Sequence, residues 1–416
     1  MHDPGQDWWA GGDALCRFIA DLLAAEARRL FPSAAPLPPP EHWRPETRLD
    51  ETGLGFDSLD RLRLAGALSE ALHLHESGIE DGLLARMRFG EWCAIAAQGL
   101  QRRSASLTFR TSGSTGAPTA CAHRLVDLAQ EVDALAALVP AGTRRILAAV
   151  PAHHLYGFLF TILLPQRLGG LPVVPLRSHS PGAVRAQARR GDLVIGHPAF
   201  WAAAVRAAPA GWEPGFAGVT STAPCPPALA RALQQAGLSR LLQIYGASET
   251  AGLGWRDDPD TPFTLLPHWQ RDMEADGLRR RCEDDATLPF VTVPDRLAWI
   301  DERRFRILGR RDEAVQVGGI NVFPAHVRTV LLDHPDLADA AVRAMTPGEG
   351  ERLKAFVVPR DPLADRQALH QSLVGFTRSR LSTAERPRAY TFGPALPVAP
   401  DGKATDWPIG PAPTEA

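Results

Sequence analysis

Lysine is almost missing from this chain: of 45 basic residues only Lys354 and Lys403 are lysines. Arginine takes the rest, and alanine, proline and glycine are abundant, which reads as a bias of the source and makes each lysine stand out. Neither sign of charge is in surplus, with 45 basic against 47 acidic residues for a formal net charge of −2. The chain as a whole therefore gives no reason to expect nucleic acid or an anionic membrane as partner, and a phosphate site has to be built locally. Cysteine is sparse: Cys16, Cys93, Cys121, Cys225 and Cys282 form no C-x-x-C pair and no Cys/His cluster of zinc spacing. Such dispersal fits a reducing compartment, and a cytoplasmic location is expected. No stretch approaches the ~18 uninterrupted apolar residues of a membrane span. The opening MHDPGQDWWAGGD has no basic segment leading into an apolar run, so no signal peptide is expected.

What is present is enough chain for two or three domains, 416 residues with an ordinary 45% apolar share. Residues 13–31 carry apolar positions at helical spacing, a proline-rich linker follows, and 57–73 predict a second amphipathic helix with Asp57 or Ser58 as N-cap. Segments near 77–86 and 88–102 predict shorter helices. From Ser106 the character changes, with β-rich runs (SLTFRTSG, RRILAAVP, GDLVIG, FAGVTST, LLQIYG) alternating with helical ones, the pattern of an α/β sheet with crossover helices. Strands crowd together after Thr287, and a last segment reads strand–helix–strand. The expected division is a helical region over 1–105, a core over 106–309 and a small α+β domain over 310–416.

The sharpest local signal is Thr111-Ser112-Gly113-Ser114-Thr115-Gly116-Ala117-Pro118, directly after an apolar strand. Glycine lets backbone N–H groups approach a ligand, and hydroxyls add donors, which suits a polyphosphate. A Ser/Gly-rich surface turn is the plainer reading. The P-loop ending Gly-Lys-Ser/Thr is absent, and so is G-x-G-x-x-G.

Five further segments follow in an order that gives the loop its meaning. They are Pro151 to Gly157 (PAHHLYG), Ser221 to Pro224 (STAP), Tyr245 to Thr250 (YGASET), Gly309-Arg310-Arg311-Asp312 with Gly318-Gly319, and Asp401-Gly402-Lys403. Together with the loop they resemble the motifs of the adenylate-forming superfamily: acyl-CoA synthetases, peptide-synthetase adenylation domains and luciferases. The resemblance covers roughly residues 106–407. It implies an α/β adenylate-forming core with a helical N-terminal segment and a small mobile α+β C-terminal domain. It also implies that a carboxylate attacks the α-phosphate of ATP, expelling pyrophosphate, before a thiol takes the acyl group.

On that resemblance Thr111, Ser112, Gly113, Ser114, Thr115 and Gly116 would cradle phosphates. Ala223, Pro224, Tyr245, Gly246 and Ser248 would line the adenine side, and Asp295 and Arg310 would reach the ribose or phosphates. Glu249 would hold Mg2+, a hard cation that prefers carboxylate and phosphate oxygens. Lys403 would bring an ammonium to the α-phosphate, and Asp312 would be the hinge of the swinging domain. His154 would gate the acid pocket or serve only as a packed residue.

Two positions depart from the family. Thr119 stands where a lysine usually follows the loop proline, and Gln316 where a basic residue is common; weaker ATP binding is expected.

The combination of DSLDRL, LHLHESGIEDGLLAR, FRTSGSTG and VPAHHLYGFLFTILLP is similar to a compact branch of aryl ligases. These are the 4-coumarate–CoA ligases of the photoactive yellow protein activation type and relatives in aryl-polyene pathways. The branch implies a planar aromatic acid, 4-hydroxycinnamate or 4-hydroxybenzoate, with CoA as acceptor and Tyr156, Phe158, Phe200 and Trp201 as candidate pocket walls. Asp57-Ser58-Leu59 is also similar to the site at which carrier proteins bear phosphopantetheine. Ser58 is either such a site, or part of a helix cap in a divergent subdomain. An enzyme that loads a carrier-protein thiol and a non-catalytic binding descendant are the two alternatives.

Overall fold

The computed structural model describes residues 7–31, 36–111, 119–275, 277–281, 289–311, 314–346, 348–397 and 406–409, with backbone only at 111 and 310. Two compact units form. The first takes in described residues of 1–111, 120–293 and 298–306, and the second Thr119 and those of 294–297 and 307–416.

Three helices open the first unit: α1 (Asp13–Leu30), α2 (Ser58–Leu72) and α3 (Phe89–Arg102). Helix α1 buries Leu15, Phe18, Ile19, Leu22 and Leu23 along one face at helical spacing. Helix α2 begins where it does because Asp57 accepts the Asp60 N–H while the Asp60 carboxylate accepts the Asp57 N–H, a reciprocal capping box. It ends at His73 in the left-handed region, φ 54°. Between α2 and α3 the expected short helix is two 3-10 turns, Leu74–Glu76 and Glu80–Leu83, interrupted at Gly78 with φ 67°.

This helical segment is not free-standing. Trp8, Phe18 and Phe158 meet edge to face with centroids 5.0 to 5.8 Å apart, and Phe109 joins at 5.5 Å from Phe158. Arg17 donates to the Thr161 carbonyl (3.1 Å) and Gln166 to the Trp8 carbonyl (2.7 Å). Buried edge-to-face ring pairs contribute about 0.5–1.5 kcal/mol each beyond area burial, so the cluster welds α1 to the segment around Phe158.

The chain then runs through β1 (Ser106–Thr111), β2 (Thr119–Arg124), α4 (Leu125–Leu138), β3 (Arg145–Ala148), α5 (Leu155–Phe158) and α6 (Leu164–Arg167). Next come β4 (Val173–Pro175), α7 (Ala183–Gln187), β5 (Asp192–Gly196), α8 (Pro198–Arg206), β6 (Ala217–Thr220) and α9 (Pro227–Gln235). The remaining strands are β7 (Arg240–Ala247), β8 (Ala251–Arg256), β9 (Phe263–Leu265), β10 (Trp269–Arg271), β11 (Leu278–Arg280), β12 (Phe290–Val291), β13 (Asp295–Trp299) and β14 (Arg304–Arg310). The central sheet is ordered β14-β9-β8-β7-β6-β5-β3-β4. Strands β4, β3, β5, β6 and β7 are parallel, and β8 returns antiparallel to β7. Every residue of β5 and β6 is buried, the terminal Asp192 and Thr220 included, as strands covered on both faces require.

The second unit holds the hairpin β15 (Val315–Val317) and β16 (Ile320–Val322), turned by Gly318 and Gly319 at φ 58° and 83°, where side chains would strain. Helix α10 (Pro324–Leu332), strands β17 (Leu337–Ala344) and β18 (Leu353–Pro359), helix α11 (Arg366–Arg378) and β19 (Ala389–Phe392) complete it. Its sheet is β17-β18-β19, and its core gathers Val322, Val327, Leu331, Ala355, Val357 and Leu373.

Candidate active site

Parallel strands with helical crossovers leave their loops on the edge where the strands end, and ligands bind there, where the strand order reverses. Strand β3 is followed by β4 on one side and later by β5 on the other, so the reversal falls at β3. The segment after β3 is Pro151 to Gly157. After β6 comes Ser221 to Pro224, and after β7 comes Ala247 to Thr250. Three of the segments singled out in the sequence thus leave one edge of one sheet.

The turn carrying Glu249 is held from several sides. Ala251 sits at φ 60°, a left-handed conformation costly for a residue with a Cβ. Thr250 holds it locally: its N–H donates to the Ala247 carbonyl (3.2 Å), and its hydroxyl donates to the Ala251 carbonyl (3.0 Å). From β2, His123 Nε2 lies 2.6 Å from the Ser248 carbonyl. A carbonyl only accepts, so Nε2 carries the proton. From α4, Glu131 accepts the Gly252 N–H at 2.9 Å, and Trp269 donates to the Gly252 carbonyl at 2.7 Å. A Cβ on Gly246 would lie 2.3 Å from the Ala251 carbonyl oxygen, so only glycine fits there. Glu249 itself is exposed. Its charge reaches back to Cys121 on β2, whose thiol is pushed up to about 11 by burial first and then by Glu249. Burial keeps His123 below the usual histidine range against the Ser248 carbonyl, so the ring is neutral at pH 7.

The Pro151–Gly157 segment is pinned by α1. Asp21, largely buried there, accepts the Ala152 N–H at 2.6 Å and pairs with Arg177. His153 and His154 lie with ring centroids 4.2 Å apart. His154 presents surface to solvent, yet desolvation first and the Arg177 charge second lower its pKa to about 4. It is a neutral imidazole at pH 7, suited to hydrogen bonding and gating rather than to carrying charge. Tyr156 donates to the Gly196 carbonyl (3.0 Å), and Phe160 packs on its ring at 5.2 Å. Residues Leu159–Leu163 form a π-helical turn between α5 and α6, a feature that accompanies functional sites. Of the four candidate walls, Phe158 and Trp201 are fully buried. Phe158 belongs to the aromatic cluster with α1, and Trp201 donates to the Val219 carbonyl. Tyr156 and Phe200 keep partial exposure and remain candidates.

At the Ser221–Pro224 segment, Thr222 adopts φ 75°, a true outlier for a β-branched residue. Ala223 is half-buried and Pro224 exposed beside it. Tyr245 is buried between Phe263 (5.7 Å) and Phe305 (5.6 Å). In the second unit Asp295 is buried at the start of β13, and Arg311 donates to its main-chain carbonyl (3.3 Å). Lys354 is also buried there, clamped by Glu349, Asp406 (3.1 Å) and the Trp407 carbonyl (2.7 Å). That lysine is structural, and it anchors the chain three residues beyond Lys403. Gln316 pairs across its hairpin with Asn321. Ser112 to Gly116, Asp312 and Lys403 lie outside the described residues, as do the side chains of Thr111 and Arg310.

Sequence reading passed over His123, Asp21, Arg177 and Glu131. Only His123 left a signal: Cys121 and His123 alternate inward on a strand that starts one residue after the glycine-rich loop. Glu131 is fully buried, and desolvation raises its pKa to about 7 against the pull of Arg280. A carboxyl held above its unfolded value stabilises the fold below about pH 4.5 and loses that contribution as pH rises through 7, by about 3 kcal/mol. Glu131→Gln, which cannot ionise, should therefore gain on wild type between pH 5 and 8 in urea denaturation. Parallel pH curves for the two proteins would refute this.

Comparison with known proteins agrees with this geometry. Residues 85–271 match the AMP-binding enzyme family, and 327–403 its C-terminal domain. A 4-coumarate–CoA ligase of Rhodobacter capsulatus is 41% identical over 94% of this chain and 99% of its own. One from Halorhodospira halophila is 38% identical over 94% and 98%. The amide bond synthetase McbA from Marinactinospora thermotolerans shares the fold, with TM-score 0.60, 20% identity, and coverage of 93% of this chain and 92% of that one. With loops of the matching motifs on one sheet edge and relatives matched along nearly their whole length, this chain belongs to the adenylate-forming AMP-binding enzymes and is an AMP-forming acid–CoA ligase.

Proposed function

We propose that this ligase activates a planar aromatic acid of the 4-hydroxycinnamate or 4-hydroxybenzoate type with ATP and Mg2+ in the cytoplasm, and passes the acyl group to CoA. The observation that carries the reading is the Glu249 turn, braced from β2, α4 and Trp269 while its carboxylate stays exposed. The relatives' names supply the aryl acid, and Tyr156, Phe200 and the neutral His154 offer ring surface and a hydrogen-bonding edge for it.

An exposed carboxylate that no described cation pairs with fits Mg2+, which is held by one or two carboxylates together with substrate phosphates. When bound, Mg2+ would neutralise charge on the departing pyrophosphate. The chain's own groups do the positioning. Ser112 to Gly116 would wrap the phosphates, with Thr111 leading into them. Ala223, Pro224, Tyr245, Gly246 and Ser248 would flank the adenine, and Asp295 and Arg310 the ribose. His154 would border the acid, and Lys403 would meet the carboxylate and α-phosphate as the chain pivots at Asp312. Because both reactants are anions, holding them in line supplies most of the rate. The test incubates pure protein with ATP, Mg2+ and a panel of aryl and aliphatic acids, with and without CoA. Aryl-selective, CoA-dependent thioester formation supports the reading; preference for aliphatic acids overturns it.

One observation favours a second reading. The capping box uses Asp57 and Asp60 and leaves the exposed Ser58 hydroxyl without a described partner, beside Leu59 and Leu62 at 51% and 50% exposure. Under that reading Ser58 bears phosphopantetheine and receives the acyl group in cis. A phosphopantetheinyl mass increase at Ser58 after treatment with CoA and a transferase would support it, and an unmodified chain would remove it.

Thr119 leaves the phosphate loop without its usual cation. Thr119→Lys should lower the KM for ATP roughly threefold to tenfold, since a charge-assisted bond contributes about 1.5–3 kcal/mol at best. An unchanged KM would mean that the charge is already supplied elsewhere.

A further inference from the structure

We infer that His123 is a positioning residue of the adenylation site, fixing from β2 the Ser248–Glu249 end of the turn that carries the Glu249 carboxylate. The inference rests on the ligase reading given above and adds a residue to it.

His123 does not line the substrate path; it is buried, 9% exposed, with its ring against Phe109 at 6.0 Å. Its Nε2–H reaches across 125 residues of sequence to the Ser248 carbonyl, the group just before Glu249. Strand β2 starts at Thr119, one residue beyond the glycine-rich loop, and presents Cys121 and His123 on its buried side. The other two braces on the turn, from Glu131 and Trp269, both act on Gly252 and hold the start of β8. Among the described residues His123 is the only side chain of β2 bonded to the Ser248–Glu249 peptide. Loss of this bond leaves the carboxylate end of the turn held only by the local Thr250 bonds, while its other end stays fixed. The carboxylate then loses its fixed position, although every reacting group is still present. A misplacement of this kind lowers the rate without removing a reacting group.

The donor can be isolated from the packing. His123→Gln keeps an N–H at similar reach, whereas His123→Met fills similar space without one. Each is measured in the full-length protein for acid-dependent pyrophosphate release, with KM for Mg·ATP and for the acid determined separately. Equilibrium binding of Mg·ATP without acid and thermal denaturation are recorded alongside. The expected result is a KM for Mg·ATP about tenfold higher in His123→Met, kcat several-fold lower, the acid KM within twofold of wild type, and substantial recovery in His123→Gln. Equal behaviour of the two variants overturns the positioning role, and so does a drop in melting temperature with unchanged Mg·ATP parameters. Should His123→Met not fold, the decision passes to His123→Gln against His123→Asn, whose shorter amide reaches the carbonyl less well; equal Mg·ATP binding by these two overturns the role. If wild type binds no Mg·ATP and releases no pyrophosphate, the ligase reading fails first and takes this inference with it.

Discussion

Glu249→Gln is expected to lower acid-dependent pyrophosphate formation by about 10²- to 10³-fold, the scale seen when one preorganised electrostatic group is removed from a reaction between anions. The change removes a charge and keeps the shape. Glu249 is exposed, and the turn around it is held by Thr250, His123, Glu131 and Trp269, so folding should not suffer. The melting temperature should stay within a degree or two of wild type. Higher Mg2+ should recover part of the activity, because affinity for the ion is what the neutral amide loses. Activity within threefold of wild type at ordinary Mg2+ would place the metal-holding carboxylate elsewhere.

Gly157→Ala is expected to be as damaging by a different route. A Cβ on Gly157 would lie 1.8 Å from the Pro151 carbonyl oxygen and 2.8 Å from its carbon. Both are backbone atoms of the segment that carries His153 and His154, and no rotamer change relieves the clash. The segment is already fixed from the other side by Asp21 on the Ala152 N–H. Either the segment opens or α5 shifts away from it. Overpacking usually costs 1–3 kcal/mol, and a clash with backbone on both sides should reach about 3 kcal/mol. The denaturation midpoint should fall, and any folded fraction should show a raised KM for the aromatic acid with KM for ATP nearly unchanged. A variant with wild-type stability and wild-type acid KM would show that the Pro151–Gly157 segment is not a wall of the acid pocket.

Much of this was legible in the residues, for reasons the structure makes plain. Helix α2 could be started at Asp57 because a capping box is a local device, complete within four residues. Strands β5 and β6 announced themselves because burial on both faces demands a mainly apolar run, broken here only at the ends by Asp192 and Thr220. The π turn at Leu159–Leu163 gave no sign, since an apolar run reads alike as α, π or buried strand. Helix α11 and β19 were passed over for a weaker reason: the short apolar runs around them end in charged, proline-flanked stretches. Phe158 and Trp201 looked like pocket walls because composition does not say which side of an aromatic faces the core. The braces were the least legible part. Asp21 meets its Arg177 partner across 156 residues, and His123 meets Ser248 across 125, so each pairing exists only once the sheet has formed. Loops that touch substrate carry recognisable short motifs; the groups that hold those loops still are scattered.

The most direct measurement follows oxygen. Wild-type protein is given ATP, Mg2+, CoA and 4-hydroxycinnamate labelled with 18O in both carboxylate positions, and the nucleotide product is examined by mass spectrometry. If the carboxylate attacks the α-phosphate and CoA then displaces AMP from the acyl group, one labelled oxygen must appear in AMP and one must stay in the thioester. Unlabelled AMP, or ADP with labelled inorganic phosphate, would contradict adenylation at this site.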